Sequence, residues 1–162
     1  MSPSPPSGGL AAPDARSSTA RHRYGAWASR TVLSVALVLL ALIGLKFISQ
    51  PVAMAAASGM GMDAPLAVTD MRAGFGAFPL AGALFLLFCL VARDHRRTGL
   101  VFVALIMGVT LGVRLAGAAT DGTFAESLRL ILIEAALCGL SLAALAVELA
   151  PGSRRSARAP IA

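Results

Sequence analysis

Residues Gly99–Ala119 read GLVFVALIMGVTLGVRLAGAA, and Arg114 is the only charged residue among them. The run is long enough to cross a bilayer, because an α-helix needs about 20 apolar residues to span the hydrocarbon core. A second apolar run, Leu128–Ala150, follows closely and contains Glu134. Ionisable side chains at membrane depth cost roughly 2.5–3.5 kcal/mol each, so they normally face protein and find partners. The two runs therefore predict adjacent transmembrane helices with a polar contact between them.

The composition of the whole chain is that of a membrane protein with one domain. Of the 162 residues, 57% are hydrophobic and 14% are charged, and the mean hydropathy is +0.77. A soluble domain of this size carries about 25% charged residues. The net charge of +6 comes from short basic clusters between apolar runs, without interleaved aromatic residues. This distribution indicates membrane topology and argues against a nucleic-acid partner.

Two further apolar stretches, Thr31–Ile48 and Ala73–Ala92, precede the first two. In lipid only helices and closed barrels satisfy their backbone polar groups, and barrels need short strands of alternating polarity. The sequence therefore predicts an all-α membrane protein, a bundle of four transmembrane helices in a domain at residues 30–150. The four helices are expected at about residues 31–49, 72–92, 99–118 and 127–149.

The loop charges predict the orientation of the bundle. Ten basic residues fall on one side of a four-helix topology: Arg16, Arg21, Arg23, Arg30, Arg93, Arg96, Arg97, Arg154, Arg155 and Arg158. The positive-inside rule makes that side cytoplasmic, so both termini are expected in the cytoplasm and the protein in the cell inner (plasma) membrane. Residues 1–29, rich in Pro, Ser and Gly, are predicted to form a disordered cytoplasmic tail. Residues 151–162 are predicted to form a basic cytoplasmic tail.

A cleaved signal peptide is the alternative interpretation of the first apolar stretch. Arg30, the apolar region after it and the small residues around Ala53 and Ala55 resemble the three-part pattern of such a peptide. Lys46 interrupts the approach to that cleavage site, and the tail before Arg30 is long for a signal peptide. The sequence alone leaves processing of the N-terminal tail open.

The polar residues of the third and fourth helices are expected to meet in the outer half of the membrane. From a rise of 1.5 Å per residue, Arg114 lies about 8 Å and Glu134 about 15 Å inside the outer ends of their helices. Cα–Cβ bonds tilt toward the helix N-terminus, so the two side chains lean toward each other in depth. A bidentate contact between the guanidinium and the carboxylate follows. The candidate polar cluster comprises Asp70, Arg72, Arg114, Asp121 and Glu134, with Lys46 and Ser141 as secondary candidates.

The fourth helix carries a polar stripe with a seven-residue repeat: Ser127, Glu134, Ser141 and Glu148. Such a stripe either lines a water-filled path or fills the seam of a bundle with hydrogen bonds between helices. The sequence leaves both readings open.

Small residues indicate where helices can approach closely. They form steps of four residues on three helices: Ala73, Ala77 and Ala81; Gly108 and Gly112; Ala135, Gly139 and Ala143. These faces support compact packing in the lipid bilayer and offer a surface for a homo-oligomer. Pro79 is expected to kink the second helix near mid-membrane.

No motif for catalysis or cofactor binding occurs in the chain. A phosphate loop, a nucleophile–base triad and a metal-ligand spacing are all missing from the sequence. Cys89 and Cys138 lie about 50 residues apart within apolar runs, which predicts buried free thiols. The expectation is therefore no catalytic, cofactor-binding or metal-binding residue, and no cofactor.

Several segments together resemble one family of bacterial membrane proteins, domain of unknown function 4345. These segments are Thr69–Pro79, Val113–Leu115, Asp121–Thr123 and Glu134. The likeness spans roughly residues 32–149 and leaves both tails outside. Seven positions match the family pattern: Asp70, Arg72, Gly76, Arg114, Asp121, Gly122 and Glu134. The resemblance implies a four-helix membrane fold; it indicates no particular activity, because the family has none established.

The leading functional hypothesis is a non-enzymatic integral membrane protein. Its charged cluster would either hold the bundle together or bind a small polar ligand or a lipid headgroup from the outer side. The alternative is a small transporter or channel-like subunit that uses the polar stripe. A membrane enzyme with Glu134 as general base is the third hypothesis.

Overall fold

The computed structural model describes residues 15–150, with side chains from residue 26 onward except that of Arg93. The described residues are helical and contain no strand. In chain order the helices are α1 (Ala15–Ser49), α2 (Pro51–Ala57), α3 (Pro65–Met71), a π-helical segment (Arg72–Ala77), α4 (Phe78–Val91), a 3₁₀ turn (Arg93–His95), α5 (Arg96–Asp121) and α6 (Phe124–Leu149).

Four helical stretches are long and apolar enough to cross a membrane, which confirms the predicted fold class. They are Ala26–Ser49, Pro65–Val91, Arg96–Asp121 and Phe124–Leu149, with mean hydropathies between 2.1 and 2.5. The second span combines α3, the π-helical segment and α4 into one helical stretch. Large apolar side chains such as Phe78 and Val91 point outward, as lipid-facing residues do.

The structure places two helix starts earlier than expected. Residues 15–29, predicted to be disordered, belong to α1; no proline interrupts them, and extending an existing helix is far easier than starting one. The predictions for residues 1–14 and 151–162 lie outside the described residues. The second span starts at Pro65, not near residue 72, because proline is favoured in the first turn of a helix.

Pro79 shapes the middle of the second span through a π-helical segment. Proline lacks an N–H group, and its ring crowds the carbonyl four residues earlier, here that of Phe75. The helix widens just before the proline, where the Phe78 N–H group bonds the carbonyl of Ala73, five residues back. Pro79 is thus preceded by a change in helix winding, and the expected kink stays a prediction.

The bundle consists of two helix pairs, α5 with α6 and α1 with the second span, joined because α1 also contacts α5 and α6. The buried core lies in the half of the bundle that holds the α4–α5 connection. Its residues are Val32, Leu33, Ala36, Leu86, Leu100, Val103 and Ala144. The opposite half contains Arg114, Glu134 and the two connections between the other spans.

Glycine permits the closest contact between α1 and the second span. A Cβ atom added at Gly44 would lie 2.8 Å from the carbonyl oxygen of Gly76 and 2.9 Å from the backbone nitrogen of Leu80. Neither backbone atom can move away as a flexible side chain would. The two helix backbones therefore touch, which is the packing mode that small residues allow in membranes.

We expect Gly44→Ala to destabilise the protein by about 1–3 kcal/mol, the usual cost of overpacking a tight contact. Gly112→Ala is the matched control, since a Cβ atom there has no neighbour within 4 Å. It should leave stability unchanged or raise it slightly, because alanine is the better helix former. Denaturant unfolding in detergent, followed by circular dichroism, measures both; equal effects of the two changes would contradict the backbone contact.

Candidate functional site

Arg114 and Glu134 form an ion pair between α5 and α6. The Arg114 Nε atom donates to Oε1 and Oε2 of Glu134, both at 3.0 Å, and Nη2 donates to Oε1 at 2.7 Å. The side chains are 30% and 10% exposed. The contact predicted from helix direction and side-chain tilt is confirmed.

A tight turn between α5 and α6 sets the register of this pair. Gly122 ends α5 in the left-handed region, at φ 70°, which glycine adopts without strain. The N–H groups of Gly122 and Thr123 both bond the carbonyl of Ala118, and α6 begins at Phe124. The two helices therefore run antiparallel from a short connection, and Arg114 and Glu134 come together at the same depth.

The geometry neutralises both charges within the pair. In a low-dielectric setting an unpaired charge is very costly, whereas a well-aligned arginine–carboxylate contact compensates both partners. Both oxygens of Glu134 accept hydrogen bonds from one guanidinium group. This arrangement is suited to linking two helices.

The structure does not bring the other cluster residues to this pair. Asp70 and Arg72 lie exposed on the second span, whose π-helical segment packs against α1. Asp121 is also exposed, and its Oδ1 accepts from the Thr120 hydroxyl at 3.2 Å. Within the described part of the chain, no ion pair joins any of these three to Arg114 or Glu134.

The secondary candidates have separate surroundings. Lys46 is exposed near the end of α1. Ser141 is fully buried, and its hydroxyl donates to the carbonyl of Leu137, one turn earlier, at 2.7 Å. This local bond satisfies the hydroxyl within its own helix, as expected for a serine in the seam of a bundle.

A second ion pair, between Arg97 and Glu148, ties the other end of the α5–α6 pair. Arg97 Nε lies 3.5 Å from Glu148 Oε2, and Nη2 donates to the Glu148 carbonyl at 3.0 Å. Sequence reasoning treated Arg97 only as a loop charge. The antiparallel register could have revealed this second pair. Arg97 lies 17 residues before Arg114 on α5. The position 17 residues after Glu134 is within one helical turn of Glu148.

An apolar cavity of about 200 Å³ lies directly beside the buried pair. Its walls come from α1, α5 and α6, and Glu134 is the only ionisable residue among them. The lining residues are Ala36, Leu39, Leu40, Ile43, Phe102, Val103, Ile106, Met107, Leu130, Ile133, Glu134 and Leu137. This volume exceeds the roughly 150 Å³ of a dry engineered cavity that binds benzene, so an apolar group fits inside.

The described residues also include imidazole, thiol and carboxylate side chains outside the ion pair. Among the described residues, no three His, Cys, Asp or Glu side chains lie close enough together to hold a metal ion. Cys89 and Cys138 are free thiols, and the Cys138 thiol donates to the carbonyl of Ala104 at 3.7 Å.

We expect Glu134→Gln to lower the free energy of unfolding by about 3 kcal/mol, because Arg114 then remains charged without its counter-ion in a low-dielectric setting. Glu148→Gln is the matched control on the same helix. Its partner Arg97 is 48% exposed, so the loss of that ion pair should cost at most about 1 kcal/mol. Unfolding of both variants in detergent measures the difference, and a larger loss at Glu148 would argue against a buried tie at Glu134.

Comparison with known proteins identifies a family and assigns no activity. No curated protein and no solved structure matches the chain. The model of one family, the domain of unknown function DUF4345, matches residues 28–145, which include all of α2 to α5 and both members of the buried pair. The chain therefore belongs to the DUF4345 family.

Proposed function

We propose that this protein is a non-enzymatic, multi-pass protein of the cell inner (plasma) membrane. It binds a membrane lipid between α1, α5 and α6, in a bundle in which Arg114 and Glu134 link α5 to α6. The observation that carries the proposal is the double role of Glu134, which accepts three hydrogen bonds from Arg114 and also lines the apolar cavity.

The contact geometry supports a structural role for the pair. A catalytic base needs a carboxylate oxygen that is free to face the substrate. Here the carboxylate uses both oxygens on Arg114, and the guanidinium uses both Nε and Nη2 on Glu134. The pair links α5 to α6 much as Arg97 and Glu148 do at the other end.

The cavity supports lipid binding better than transport. A water-filled path along α6 would need Ser141 to face solvent, but this residue is fully buried and bonded to its own helix. The cavity wall is apolar except for Glu134, whose charge Arg114 compensates. An apolar chain fits such a wall, because it needs no hydrogen-bond partners there.

The distribution of charge supports an orientation with both termini in the cytoplasm. The 3₁₀ turn between α4 and α5 is followed by Arg96 and Arg97, and it lies at the same end of the bundle as the start of α1 and the end of α6. The connection between α2 and α3 carries Asp63 and no basic residue, and it faces the outside in this topology.

Exchanging the two charges tests the structural role. Arg114→Glu and Glu134→Arg should each lower the amount of protein in the membrane, since each places two like charges together. The double variant should recover most of that loss. The control joins Glu134→Arg with Arg72→Glu, which leaves the new arginine unpaired, because Arg72 is exposed on the second span and is in neither of the two ion pairs described above. Immunoblots of membrane fractions and unfolding in detergent report the result. If the control recovers the lost protein, or if the double exchange recovers none of it, the ion pair does not have this structural role.

Impermeant thiol labelling tests the orientation. After replacement of Cys89 and Cys138, Asp63→Cys should react with a membrane-impermeant maleimide in intact spheroplasts. Asp94→Cys, in the 3₁₀ turn, should react only after permeabilisation. Both positions are exposed, so access to the reagent depends on the side of the membrane alone. The reverse pattern would place the termini outside.

A further inference from the structure

We infer that the bound lipid is an anionic phospholipid, with one acyl chain in the cavity and its phosphate between Lys46 and Arg129. This inference rests on the proposed lipid binding and specifies both the class of lipid and its placement. It starts from the position of the cavity opening. The residues at its outer end, Ile43, Leu130 and Ile133, keep 43–46% of their surface exposed, so the cavity opens there to the surroundings of the bundle.

Ile43, Leu130 and Ile133 lie six or more residues inside the outer ends of the candidate spans, which puts them at the depth of the hydrocarbon. From Ala36 to Ile43 the cavity follows seven residues of α1, or about 10 Å. One leaflet contributes about 15 Å of hydrocarbon. A chain that enters from the outer leaflet therefore reaches the depth of the cavity without drawing its headgroup below the interface.

Two cations lie on the outer side of the opening, on the helices that line it. Lys46 follows Ile43 by three residues on α1, and Arg129 precedes Ile133 by four residues on α6. Residues three or four apart share a helix face. Both cations are exposed, and among the residues whose side chains are described neither forms an ion pair.

The cavity and the rim outside it differ in polarity, as the acyl chain and the headgroup of a lipid do. The cavity is apolar, and its one carboxylate is neutralised by Arg114. The rim above it carries two positive charges with long, flexible stems that reach the membrane interface. A lipid phosphate compensates the two positive charges, and its acyl chain fills the cavity. An inorganic anion lacks the acyl chain, and a neutral lipid lacks the net negative charge.

Native mass spectrometry of the full chain in detergent tests the inference with defined probes. Phosphatidylglycerol and phosphatidylcholine with identical acyl chains are added separately, and inorganic phosphate is a third probe. We expect phosphatidylglycerol to be retained at least about tenfold better than phosphatidylcholine, because each interfacial cation contributes roughly fivefold. Inorganic phosphate should neither be retained nor displace the lipid.

Two sets of variants separate the headgroup from the chain. Lys46→Gln with Arg129→Gln should abolish the preference for phosphatidylglycerol while both lipids are still retained. Ile133→Trp fills the cavity and should abolish retention of both lipids. Its control is Leu132→Trp, the next residue on α6, which is 60% exposed and does not line the cavity. Should Ile133→Trp fail to fold by circular dichroism, Ile43→Phe fills the cavity from α1, with exposed Leu42→Phe as control.

The outcomes distinguish this inference from the proposed function. Equal retention of the two lipids, or a preference that survives loss of both cations, overturns the anionic headgroup and leaves lipid binding intact. Retention of inorganic phosphate that depends on Lys46 and Arg129 but not on Ile133 overturns the lipid as ligand. If the native chain retains no lipid, or the cavity-filled chain retains as much as the native one, the proposed function fails as well.

Discussion

Arg114 and Glu134 lie where the surrounding medium cannot solvate a charge, and the rest of the bundle is arranged so that they meet. Burying an ion pair is favourable only when the geometry is good and the remaining hydrogen-bonding atoms find partners. The short Gly122–Thr123 connection fixes the register of α5 against α6, so that the guanidinium donates to both carboxylate oxygens. A slip of one residue would rotate Glu134 by about 100° and separate the two charges.

The two halves of the bundle are stabilised differently. Near the α4–α5 connection, leucine, valine and alanine side chains from α1, α4, α5 and α6 form one continuous core. In the other half, α1 meets the second span through the backbone contact of Gly44 with Gly76, and α5 meets α6 through the ion pair. Between α1 and the α5–α6 pair lies an unfilled apolar space, which is the cavity.

The sequence predicts the four spans because hydrophobic length is set by the bilayer, and it predicts the Arg114–Glu134 contact because helix direction and Cβ tilt are general rules. It does not predict the early start at Pro65, since residues 65–71 lack the uninterrupted apolar character of a span. The wider cluster fails for a different reason. Asp70 and Arg72 lie on the span that packs against α1, and the rules that predict membrane depth from sequence do not predict the order of helices around a bundle.

Glu134 belongs to both the ion pair and the cavity, because its carboxylate binds Arg114 and the residue also lines the cavity. A neutral residue at this position would leave Arg114 unpaired, and an unpaired glutamate would draw water or a cation into the space. With both oxygens bonded, the carboxylate requires nothing from the cavity, and the cavity can accept a purely apolar group. The ion pair that permits two charges among apolar helices is thus also the condition for an apolar cavity beside them.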